Sequence, residues 1–209
     1  MFSWVPRWGD SRQHQLDRLF ESAKRETERE YEPIRKVGAA IIQASVNNRD
    51  EAKKWIEAPT EAKRLEREAF VFFEYVYFYM HLTIRHASTV LTASQMQKTQ
   101  EYLTSLIPSV CIDSYFAHWP ANIKENMTDD FFEKLNDAEV EYTEHAKNSK
   151  SENGGDRLLE MFSLLASHIS DLCGSNIALI ARPLIIHQAI NEWTKMDLDT
   201  LMAGVSQVN

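Results

Sequence analysis

The stretch FVFFEYVYFYMHLTIRHAS, residues 70–88, lies inside the longest helical element that no proline interrupts, Glu61 to Leu91. Each residue of a helix turns the chain by about 100°, so Phe70, Phe72, Phe73, Val76, Tyr77, Met80 and Ile84 cover most of the circumference. A helix that is apolar on most sides has to be surrounded by other elements. The remaining sequence supplies more helices: only 6 Gly and 6 Pro punctuate 209 residues, too few turn signals for an all-β fold. The expectation is an all-α, single-domain bundle (residues 1–209) of about six to nine helices around a long aromatic-rich central helix.

The apolar positions Leu16, Leu19, Phe20, Ala23, Tyr31, Ile34, Val37, Ile41 and Ala44 recur at three and four and predict a helix from Asp10 to about Ser45. Pro33 removes a backbone donor there, predicting either a kink or two helices meeting near Glu32. Asn47 and Asn48 are expected to end this element, and Asp50 to cap a short helix carrying Trp55 and Ile56. A further helix is read from Ser94 to Pro108 and a short one on to His118. Thr128 is read as the cap of a helix over 128–148. Helices at about 156–173 and 176–193 are separated by Gly174, with room for a short last one. Residues 149–155, SKSENGG, read as an exposed loop, and residues 1–9 as an apolar arm built on Phe2, Trp4, Val5 and Trp8.

Charge narrows the partners. The net charge is −8, and residues 1–75 carry 14 basic and 14 acidic side chains, so the whole acidic excess follows residue 75. A chain without a basic stripe does not read as a nucleic-acid binder. No run is long and apolar enough for a membrane span, and the first ten residues do not have the pattern of a secretory signal. Cys111 and Cys173 have neither disulfide nor zinc spacing and read as reduced thiols, which points to a soluble cytoplasmic protein.

The glutamate inside the aromatic run raises the functional question. Residues seven and eleven apart on a helix fall nearly on one line, so Arg67, Glu74, His81, Arg85 and Ser88 share a stripe. One reading makes this a narrow wet face. The other makes it a polar line inside the bundle, where an ionised Glu74 needs a partner such as His81 or Arg182. Arg182 stands in NIALIARPLIIHQAI, apolar nearly all round, with Pro183 beside it and His187 one turn later. Were Glu74, His81, Arg85, Arg182 and His187 to gather, they would form a polar pocket with aromatic walls, suited to a small ligand.

Explicit chemistry is scarce. No histidine has Glu three residues before it, as carboxylate-bridged di-iron bundles require, and Glu141 with His145 is a lone i,i+4 pair, so no metal or cofactor is implied by motif. The phosphate-cradling, dinucleotide-binding, nucleophile-elbow and HExxH motifs are absent. Cys111 and His118 would stand about two turns apart on a helix, too far for a direct thiolate–imidazole bond. The helix at 128–148 presents an acidic ridge, Asp130, Glu133, Asp137, Glu141 and Glu144, which reads as a solvated face or as a dock for a basic protein.

Taken together these features favour a helical bundle that acts through protein–protein association, most simply as a homodimer with Trp4 and Trp8 at the interface, and lean away from an enzyme. The alternative is a bundle that binds a small molecule or metal, or acts as an enzyme, in a pocket beside the aromatic helix.

Overall fold

The computed structural model describes residues 31–115, 117, 121–148, 154–174 and 178–207. Among them are seven α-helices and no strand: α1 Glu32–Ala52, continued by a 3-10 turn Lys53–Trp55; α2 Glu61–Val90; α3 Ala93–Tyr115; α4 Ala121–Asn148; α5 Gly154–Cys173; α6 Ala178–Lys195; and α7 Leu198–Ser206. This is the all-α bundle that the composition predicts. The arm with Trp4 and Trp8, the helical stripe from Leu16 to Ala23 and residues 149–153 of the expected loop lie outside the described residues.

The aromatic helix is central, as its pattern requires. α2 packs against α1, α3, α4, α5 and α7, while α1 meets α2, α3, α6 and α7, so these two helices form the inner pair. α2 begins where Thr60 accepts the Lys63 amide on Oγ1 at 3.3 Å, an N-cap that satisfies one of the first unpaired donors. Fully buried Phe78 meets Tyr142 of α4 and Phe162 of α5 edge-on, at centroid separations of 5.2 and 5.0 Å. Phe131 of α4 packs on Phe73 and Tyr77 at 6.0 and 5.0 Å. Edge-to-face geometry sets ring edges against ring faces and adds to the burial of large apolar area.

Four local expectations give way to packing. The Asn47–Asn48 pair does not end α1: the Asn47 amide donates to Glu192 Oε2 at 2.7 Å and that of Asn48 to the Tyr79 hydroxyl. Side chains used in bonds to other helices no longer compete for their own backbone, so the helix runs on to Ala52 with Asp50 inside it. Pro108 does not stop α3. It forfeits one backbone bond, but Leu106, Ile107, Val110, Cys111 and Ile112 around it are all buried, which outweighs that loss. Thr128 is no cap either, since its hydroxyl donates back to the Lys124 carbonyl at 3.0 Å inside α4. Gly154 and Gly155, read as loop, open α5. Pro33 does stand at a helix start, in the first turn of α1, where its missing donor costs nothing.

Gly174 ends α5 with φ +126°, a conformation that side chains resist. The Cys173 carbonyl just before it accepts the Glu57 amide at 2.9 Å, tying this end of α5 to the segment that leads into α2. Cys111 and Cys173 are both unpaired and buried.

Candidate functional site

The stripe on α2 is neither wholly wet nor wholly buried. Arg85 and Ser88 are exposed, Glu74 is half-buried, and His81 is completely enclosed. Glu74 finds its partners on α4 and α5, not in His81 or Arg182: its Oε1 accepts from the Tyr142 hydroxyl at 3.0 Å and lies 2.8 Å from His168 Nδ1. The other ring nitrogen of His168, Nε2, lies 3.1 Å from Glu141 Oε1. His81 instead points its Nδ1 at Glu139 Oε2, 2.8 Å away, and its ring lies 5.4 Å from that of Tyr142.

His168 therefore joins three helices. Hydrogen bonding to Glu74 raises its pKa above the ordinary 6.5; burial opposes the rise, and the charges of Glu74 and Glu141 add to it. A protonated imidazole donates from both nitrogens, so the two carboxylates satisfy it completely. Burial, reinforced by the neighbouring Glu74, holds the Tyr142 hydroxyl in its neutral, donating form. Glu74, Tyr142, His168 and Glu141 thus clamp α2, α4 and α5 together. Among the described residues no group of three or more His, Cys, Asp or Glu side chains could hold a metal ion.

Sequence reasoning missed Tyr142 and Glu139 as partners because they belong to α4, more than fifty residues along the chain, and helical spacing on α2 does not say which helix packs on it. His168 did leave a signal, a lone imidazole on the apolar helix MFSLLASHIS.

Arg182 and His187 lie elsewhere. Both are exposed on α6, where Arg182 donates to Ser167 Oγ at 3.0 Å. The five residues of the expected pocket thus do not gather around Glu74. His187 borders a different opening, a recess of about 110 Å³ between the end of α1, the 3-10 turn, α2 and α6. Its inner walls are the buried Asn48, Tyr75 and Ile185, and its rim carries the exposed Glu51, Lys54, Leu184 and His187.

A hydrogen-bond relay fixes the inner wall. The Ala189 carbonyl can only accept, so the Tyr79 hydroxyl donates to it at 3.0 Å and accepts from Asn48 Nδ2. That orients the Asn48 amide and leaves its Oδ1 buried without a partner. At the rim, Glu51 and Lys54 neutralise each other at 2.8 Å. Asn191 Nδ2, 3.3 Å from His187 Nδ1, can only donate, which places the proton of a neutral His187 ring on Nε2.

Two other surfaces carry candidate contacts. Ile180 and Leu184, one turn apart on α6, are 69% and 50% exposed. The acidic ridge of α4 is exposed at Asp130, Glu133, Asp137, Glu141 and Glu144, with Val140 uncovered among them.

Comparison of the chain with protein-family models, with curated proteins and with solved structures found no match in any of the three. Among the described residues no helix is long and apolar enough to cross a membrane.

Proposed function

We propose that the protein acts by association, with the outer face of α6 as its docking surface and a second copy of the chain as the occupant. The carrying observation is the exposed pair Ile180 and Leu184, two large aliphatic side chains at i,i+4 on one helix face. Water-facing side chains of this size gain about 1.5–3 kcal/mol each on full burial, and a two-fold contact would bury both pairs at once. The acidic ridge of α4 is a second surface, suited to a basic partner. The two unpaired thiols fit a reducing compartment such as the cytoplasm.

Sedimentation velocity over a concentration series tests this reading. The wild-type chain should move from monomer towards dimer as concentration rises, and the double variant Ile180→Glu/Leu184→Glu should dimerise at least about tenfold more weakly, because it removes the apolar area and adds repelling charge. A wild-type chain that stays monomeric up to about 100 μM, a concentration at which an association free energy of roughly −5.5 kcal/mol would already half-populate the dimer, would refute self-association through this face.

A further inference from the structure

We infer that the surface which α6 meets on a second copy is the acidic face of α4, so that the dimer is built from reciprocal α6-on-α4 contacts. This rests on the reading that α6 docks a second copy, and adds where on that copy it docks. Of the large apolar side chains exposed among the described residues, only Phe70 and Val90 stand outside α4, α5 and α6. Phe132 and Val140 are on α4, Leu159 on α5, and Ile180 and Leu184 on α6. Exposed apolar groups that gather on neighbouring helices mark an interaction surface, whereas scattered ones need no explanation.

Charge divides these helices. The one acidic residue of α6, Glu192, is buried and bonded to Lys195 at 2.6 Å, so α6 shows no carboxylate to water. Its exposed Arg182 donates to the neutral Ser167 Oγ and pairs with no carboxylate among the described residues. On α4, Asp130, Glu133 and Glu144 are exposed and pair with no cation among the described residues. Glu133 and Glu144 stand seven before and four after Val140, which puts these two carboxylates and that exposed aliphatic side chain on one face. Packed on its own copy, α6 would bring cations of both chains to a contact that offers no exposed carboxylate. Packed on α4, it meets apolar surface and unpaired carboxylates together. Since α5 packs against both α4 and α6, a two-fold axis along α5 lays each α6 on the other copy's α4 and closes the assembly as a dimer.

Sedimentation velocity on charge-reversed chains tests the arrangement. Glu133→Lys/Glu144→Lys should weaken self-association about tenfold. Both changes move the net charge of −8 towards zero, which by itself favours association, so weakening would be specific to the contact. Arg182→Glu should weaken it by a similar factor. An equimolar mixture of the two variants should associate to within about threefold of wild type, because opposite charges then face each other at both contacts. Should Ile180→Glu/Leu184→Glu break the wild-type dimer while Glu133→Lys/Glu144→Lys leaves it intact, α6 docks elsewhere on the second copy: the inference falls and the association reading stands. Weakening by both charge variants without recovery on mixing would also overturn the inference, since those charges do not meet. A wild-type chain that is monomeric at about 100 μM would end both.

Discussion

Phe78→Ala should lower the stability of this bundle by about 3–5 kcal/mol, among the largest losses that one core substitution can cause. Phe78 is 0% exposed, and its ring touches Tyr79, Tyr142 and Phe162, so the truncation empties the junction of α2, α4 and α5 at one point. Long helices resist collapsing around such a gap, and the cavity cost adds to the lost transfer energy. For a chain of this length each kcal/mol corresponds to about 2–4 °C, so the melting temperature should fall by roughly 6–20 °C. Thermal denaturation followed by circular dichroism reads it directly. Phe70→Ala, on the same helix but at a side chain 51% exposed, is the control and should cost well under half as much. Equal losses at the two positions would mean that α2 is not seated in the bundle as described.

Glu74→Gln should do its damage on the acid side. The carboxylate accepts from Tyr142 and from His168, and hydrogen bonds to a charged group contribute about 1.5–3 kcal/mol each. Because contact with Glu74 raises the pKa of His168, the protonated ring stabilises the fold fully below the unfolded-state value of 6.5, and this contribution fades as pH rises through the folded-state value. The stability gap between wild type and variant, from urea titrations, should therefore be about 2–3 kcal/mol near pH 5.5 and should narrow towards about pH 9, keeping the part due to Tyr142. NMR titration should show the His168 pKa lower in the variant. A gap that widens with pH would reverse the sign of the linkage and discard the clamp.

What the sequence made legible follows the reach of each physical rule. The apolar surround of residues 70–84 demanded a central helix, and α2 came out at Glu61–Val90 with Thr60 as its cap. Gly174 stops its helix, as expected. Rules of the same local kind failed at Asn47, Asn48, Pro108 and Thr128, where bonds or burial between helices decided the outcome. The Glu74–His81 line was legible as a line, but its partners were not. Glu139, Glu141 and Tyr142 stand on a helix more than fifty residues away, and helical periodicity fixes a face without naming what packs on it. The recess was beyond reach for the same reason, since it exists only where α1, α2 and α6 meet.

The two thiols carry a practical consequence. Burial pushes the Cys111 thiol far up and that of Cys173 up to about 11, so neither presents a thiolate to a reagent while its helix stays packed. Reaction then has to wait for opening. Cys111 sits on α3 and Cys173 at the end of α5, so the chain carries two internal clocks, one on each side of the aromatic helix. Their relative labelling rates tell whether the bundle comes apart all at once or sheds one flank first.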